Sequence, residues 1–242
     1  MKNTQRLDKL LSNFGFGSRN ELRRLVKDGV VTVDGVVVKE VSMHVDPETS
    51  VIEVSNTPLN YRKFIYVMMN KPEGVISATF DKKLRTAVDL LPAEFACFDL
   101  FPAGRLDIDT EGMLLLTNDG QLAHNILSPR KHVAKRYYAL IEGTVTEEDA
   151  RAFREGVVLD DGYKTMPADL DIIRSGLRSE IELELHEGKF HQVKRMFEAV
   201  GKKVVYLKRI QMGGLKLDET LKAGESRELS PAEVEMLLKR FE

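Results

Sequence analysis

The sequence predicts an α+β protein in two unequal parts: a small amino-terminal domain of two helices and a small sheet, then a larger domain on a largely antiparallel mixed sheet. Three observations carry that reading. At 242 residues the chain exceeds what one small core usually organises. Apolar residues near the amino terminus repeat with helical spacing and then give way to a tight-hairpin signature. Beyond a polar break, strand-like and helix-like segments alternate without the regular βαβ period of a parallel sheet. The expected boundaries are 1–56 for the first domain, 57–63 for a linker and 64–242 for the second domain. Hydrophobic residues at 43% and charged residues at 31% suffice for packed cores and argue against wholesale disorder.

The elements follow in order. Leu7, Leu10, Leu11 and Phe14 stand at i, i+3, i+4 and i+7, the stripe of a short amphipathic helix, which Gly15 and Gly17 end. Ser18 with Glu21 three residues later forms a capping box opening a second helix, which buries Leu22, Leu25 and Val26 and stops at Gly29. Arg19, Arg23 and Lys27 share one face of that helix, with Arg24 beside them. Next, VVTV and VVVK flank Asp34-Gly35, which predicts a tight hairpin, and a strand is expected over 51–54. The run SNTPLNYRK at 55–63 is polar and turn-prone and reads as the linker. Strands are expected over 64–69, 136–142 and 181–185, and helices over 146–155 and 192–200.

Composition narrows the functional classes. The single cysteine, Cys97, excludes an intramolecular disulfide and a cysteine-based zinc site, and a reducing compartment, the cytoplasm, is expected. The start MKNTQRLDKLLSNFG lacks the apolar core of a signal peptide, no apolar run reaches the length needed to span a bilayer, and no membrane association is expected. Net charge is only -2, but its distribution is uneven. Residues 1–30 carry seven basic side chains, among them Arg6, Lys9, Arg19, Arg23, Arg24 and Lys27, against three acidic ones. Residues 186–209 carry seven more against two. Two basic surfaces on a near-neutral chain fit a nucleic-acid binder, although such runs are also common on solvated faces. GKFHQVK lacks the glycine spacing of a phosphate-binding loop, no GxGxxG follows a strand, and no GxSxG or HExxH occurs. The five histidines read as surface or hydrogen-bonding residues, so no metal site is expected.

One segment stands apart. FPAGRLDIDTEGMLLLTNDG, residues 101–120, places a polar loop directly against the apolar run MLLLT, which suits a functional loop held by a rigid scaffold. On composition alone Asp107 and Asp109 serve equally well as turn-formers bonded to their own backbone.

The order of RLDKLL, SRNELRRLVKDG and VTVDG over residues 5–54 resembles the S4 RNA-binding domain. GRLD followed by DTEGMLLLTNDG resembles the signature of the small-subunit type of ribosomal pseudouridine synthases. NKPEGVIS at 70–77, KRY at 135–137 and LHEGKFHQVKRMF at 185–197 resemble that family's other motifs in the family's order. The wording EGKFHQVKRMF is closer to the small-subunit enzymes than to the large-subunit ones.

The resemblance implies an isomerase that breaks the N1–C1′ bond of a uridine in ribosomal RNA, rotates the base and joins C5 to C1′, with no cofactor. It implies that Asp107 is the catalytic carboxylate, as nucleophile or as base. It implies Lys194 as the cation facing Asp107, with Arg195 as second choice and substrate contact. Tyr137 would cover the flipped uracil, Leu185 would form an apolar wall, and Arg105 would lie near the RNA backbone or the vacated space. Tyr138 beside Tyr137 leaves a one-residue ambiguity, which the register with Lys135 resolves towards Tyr137. Arg6, Lys9, Arg19, Arg23, Arg24 and Lys27 would grip structured RNA by phosphate contacts. The expected partner is 16S ribosomal RNA or a small-subunit assembly intermediate, and the expected state is a monomer. The alternatives are a 23S large-subunit enzyme or a non-catalytic ribosome-assembly factor.

Overall fold

In the computed structural model, which describes residues 4–239, the apolar residues near the amino terminus converge on one small core. Strand β1 (Gln5–Arg6) runs into α1 (Leu7–Asn13), and α2 (Arg19–Lys27) opens on the expected capping box, with the Ser18 N–H donating to Glu21 Oε2 at 2.7 Å. Then come β2 (Val31–Val33), β3 (Val36–Val37), β4 (His44–Val45), β5 (Ile52–Val54) and β6 (Thr57–Pro58). The small sheet has the order β3-β2-β5-β6, and β1 pairs with β4. Asp34 and Gly35 both take positive φ, as a two-residue hairpin turn demands. Leu7, Leu10, Leu11, Leu22 and Val26 are all buried around this sheet.

Residues 57–61 are more than a tether. Ser55 and Asn56 make a second positive-φ turn, β6 pairs with β5, and Leu59 and Tyr61 pack on the small core. Two apolar side chains inside a polar run were too weak a signal to read. The same compact unit takes in Pro92–Asp99, where the Phe98 ring meets Phe14 edge-on at 5.5 Å.

The second unit holds Tyr66–Leu91 and the chain from Leu100 onward. Its elements are β7 (Tyr66–Lys71), β8 (Phe101–Pro102), β9 (Glu111–Thr117), α3 (Gly120–Leu127), β10 (Lys135–Glu142), α4 (Glu147–Glu155) and β11 (Asp169–Arg174). After these come β12 (Arg178–Leu185), α5 (Gln192–Ala199), β13 (Lys203–Met212), β14 (Leu215–Lys216), β15 (Ser226–Glu228) and α6 (Pro231–Lys239). The sheet runs β11-β12-β10-β13-β9-β7-β15, with β8 also on β9 and β14 also on β13. Among the described pairs of named strands only β13 with β9 is parallel, so the fold is α+β on a largely antiparallel mixed sheet. The run GMLLLT makes β9 almost wholly buried, as a central strand covered on both faces should be. On β10 and β12 burial alternates, which sets Tyr137, Ala139, Leu183 and Leu185 on the inner face and Tyr138 and Glu182 on the other.

Candidate active site

Asp107 sits in the turn that enters β9, and residues of NKPEGVIS at 70–77 hold that turn. The Thr110 N–H donates to the Asp107 carbonyl at 3.1 Å and closes the turn. The Lys71 ammonium donates to the carbonyls of Thr110 at 2.8 Å, Pro72 at 2.9 Å and Ile108 at 3.4 Å, matching its three N–H groups to three acceptors. The Gly74 N–H donates to the Ile108 carbonyl at 2.8 Å. The Ser77 hydroxyl donates to the Leu106 carbonyl at 3.0 Å and accepts the Leu106 N–H at 2.9 Å. Lys71 is 0% exposed, and burial lowers its pKa to about 8 against the opposing pull of Asp109, Glu111 and Asp107.

Two residues seat the start of β9. A side chain at Gly112, which has φ +100°, would collide with the Arg209 carbonyl on the neighbouring strand. Arg209 is 2% exposed, and its guanidinium donates from Nε to the Met113 carbonyl at 2.7 Å. A loop tied at Leu106, Ile108 and Thr110 is set before substrate arrives.

Asp107 faces a cleft of about 70 Å³ lined also by Arg105, Thr110, Tyr137, Leu185 and His191. Lys194 Nζ is 3.4 Å from Asp107 Oδ2 and 2.6 Å from Asp109 Oδ1. His191 Nε2 lies 3.6 Å from Asp107 Oδ1. The Asp107 and Lys194 side chains are 29% and 19% exposed, so the pair is half sheltered from solvent screening. Burial pushes the Asp109 carboxyl up, but its hydrogen bond to Lys194 and that ammonium's charge outweigh burial and hold it below the usual range. The arrangement sets a fixed carboxylate and a buried aromatic ring on one cleft, with a cation bridging that carboxylate to a second one.

The tyrosine ambiguity resolves in space. Tyr137 lines this cleft, whereas Tyr138 lies on the opposite face of the sheet with its ring edge-on to Tyr206 at 6.2 Å. Arg195 is not brought to Asp107: its guanidinium binds Asp160 and Asp161, with Nε 2.6 Å from Asp160 Oδ1. The expected basic surface over 186–209 is reduced to Lys189 and Lys203, which are exposed, and the partly exposed Lys208. Arg209 is buried, Lys202 pairs with Asp149 at 2.7 Å, and Lys194 and Arg195 are held by acidic partners. On the first unit Lys9, Arg19, Arg23, Arg24 and Lys27 are exposed, while Arg6 pairs with Asp8 at 2.8 Å beside the start of α1.

Sequence reasoning missed Lys71, His191 and Glu187. The Glu187 carboxylate accepts the Tyr163 hydroxyl at 2.7 Å, the Met166 N–H at 2.9 Å and the Gln192 amide at 2.6 Å. All three lie inside the motifs quoted above, Lys71 in NKPEGVIS and Glu187 and His191 in LHEGKFHQVKRMF, which was the available signal. Among the described residues no cluster of three or more His, Cys, Asp or Glu side chains is placed to hold a metal ion, and no helix is long and apolar enough to cross a membrane.

Residues 65–199 match the RNA pseudouridylate synthase family and residues 5–51 the S4 domain. An uncharacterised RNA pseudouridine synthase, YtzG of Bacillus subtilis (strain 168), is 52% identical over 233 residues, covering 96% of this chain and 98% of that protein. Ribosomal small subunit pseudouridine synthase A of Vibrio cholerae is 41% identical, covering 97% of this chain and all of that protein. Ribosomal large subunit pseudouridine synthase B of Bacillus subtilis is 38% identical, covering 96% and 95%. A crystal structure of a pseudouridylate synthase superposes with a TM-score of 0.68 at 36% identity, covering 96% of this chain and 99% of that one.

Proposed function

The chain belongs to the RNA pseudouridylate synthase family, with an S4 domain ahead of its catalytic domain, and we propose that it modifies ribosomal RNA, converting a uridine of the small-subunit RNA with Asp107 as the reacting carboxylate. The enzyme is an RNA pseudouridine synthase. The observation that carries the assignment of Asp107 is its position on a clamped loop, facing the Tyr137 cleft and the Lys194 ammonium. In the isomerisation the N1–C1′ bond breaks, the base turns, and C5 joins C1′. The C5 hydrogen leaves to solvent and N1 gains a proton, so nothing is oxidised or hydrolysed. Asp107 assists bond breaking as nucleophile or as base for a sugar proton, and Lys194 holds its charge in place.

Extruding a uridine from folded RNA costs roughly a few kcal/mol. Stacking on Tyr137, worth roughly 1–3 kcal/mol, offsets part of that cost. Leu185 supplies the apolar wall beside it, and Arg105, exposed at the cleft, meets the RNA backbone. The exposed cations of α2 give affinity by pairing with phosphates and take no part in the chemistry. A ribosomal substrate places the reaction in the cytoplasm.

Support for the small subunit comes from the motif wording and the 41% identity to the small-subunit enzyme. The 38% identity to a large-subunit enzyme favours the second reading, a 23S target. Release of tritium from C5-labelled uridine in small-subunit and large-subunit transcripts, measured in parallel, tests the choice. Release from the first alone is expected, and release from the second alone overturns it.

A further inference from the structure

Phe190, 71% exposed, stands between Lys189 and His191, which both line the cleft, although scattered exposed apolar side chains are ordinary. Its surroundings set it apart. The ring stacks on the His191 imidazole with centroids 3.7 Å apart and planes 18° from parallel, and that imidazole is 3.6 Å from Asp107. One face of the phenyl ring is therefore backed by the cleft wall and the other faces water.

The turn that presents the ring is rigid. Glu187 and Gln192, each 4% exposed, bracket it. Glu187 takes three hydrogen bonds, from Tyr163, Met166 and Gln192, and Gln192 Oε1 accepts the Lys189 N–H at 2.8 Å. His191 adopts φ +49°, an uncommon conformation for a residue other than glycine, and the imidazole lies beneath the phenyl ring. A loop pinned this firmly pays little ordering entropy on binding.

We propose that Phe190 is a stacking platform for an unpaired base flanking the target uridine, with His191 as its underlayer. The proposal rests on the RNA reading of the Asp107 cleft. An aromatic face suits any base, because every base has a π surface, and Lys189 next to it in the chain and Arg105, both exposed and both lining the cleft, favour an anionic strand. Base stacking of this kind ties recognition to loops and unpaired segments rather than to continuous duplex.

The chain contains no tryptophan, so Phe190→Trp introduces a single indole reporter. In the full-length protein its emission should be quenched when a small-subunit or large-subunit ribosomal transcript binds. Phe190→Ala should raise KM for tritium release about tenfold or more, the loss of one stacked base, with the smaller effect on kcat. Phe190→Tyr should restore the parent KM. If Phe190→Ala keeps the parent KM, or the indole emission is unchanged at saturating RNA, the platform is wrong while the assignment of the cleft stands. If the parent protein releases tritium from neither transcript, the ribosomal assignment falls and this subsite with it.

Discussion

Lys194 divides its charge between two carboxylates, standing 2.6 Å from Asp109 and 3.4 Å from Asp107. Three aspartates of one short segment therefore have three roles. Asp107 faces the cleft, Asp109 takes the shorter bond to Lys194, and Asp119 caps α3 through the Leu122 N–H at 3.0 Å while accepting the Tyr66 hydroxyl at 2.9 Å. Lys194→Met should cut turnover by roughly 100-fold or more, in the range found for removing one preorganised electrostatic group. The group is neither fully exposed nor fully buried, so the loss of stability should be roughly 1–2 kcal/mol. Asp109→Asn leaves Lys194 to Asp107 alone and should keep turnover. Steady-state rates and urea melts of both variants check this, and a collapse of turnover in Asp109→Asn would mean that the reacting role has been given to the wrong aspartate.

Lys71 makes a second residue-scale test, through pH. Burial takes its pKa from about 10.5 down to about 8, so between those values the unfolded chain binds the proton more tightly than the folded one. Stability contributed by this group therefore rises with pH across that window and is level below it. The stability of the parent relative to Lys71→Met should climb by roughly 3 kcal/mol between pH 8 and 10.5. Urea denaturation of the two proteins in parallel across that range measures it, and a difference that stays flat or falls contradicts a desolvated ammonium under the Asp107 loop.

At the scale of the element, the proposal under test is that α2 carries the RNA-facing charge. Arg19, Arg23 and Lys27 recur every four residues and are exposed. Replacing all three with glutamine should flatten the log-log dependence of RNA binding on salt by roughly 0.7 to 0.9 for each phosphate no longer neutralised. An unchanged slope takes this face off the RNA. Removing residues 1–56 is a poorer test of the same idea, because it strips Phe98 of Phe14 and leaves Leu59 and Tyr61 without their core.

The helices and the hairpin of this unit were legible because their signals are local: a leucine stripe, a capping box, an Asp-Gly turn. Strand β6 and the segment 92–99 were not. Their places depend on partners elsewhere in the chain, and their own residues show no strong period.

For the whole molecule, the order of the two parts and the antiparallel bias of the large sheet could be read from periodicity. The gathering of Arg105, Asp107, Tyr137 and Leu185 into one cleft could be read only from motifs, since those residues come from a loop and two separate strands. Buried charges were the blind spot. Lys71, Glu187 and Arg209 look in sequence like any solvated charge, yet each is buried and bonded inside the large unit. Arg195 misled for the related reason that its partners Asp160 and Asp161 lie far back in the chain and no local pattern announces them.

The central claim is that one carboxylate, Asp107, does the chemistry, and a single comparison tests it most directly. Tritium release from C5-labelled ribosomal transcript should be followed for the parent and for Asp107→Asn, with RNA binding measured on the same preparations. Asparagine keeps the size and turn-forming ability of the side chain while removing its charge, so binding should match the parent and release should be absent. Release by Asp107→Asn at a rate near that of the parent would contradict the account.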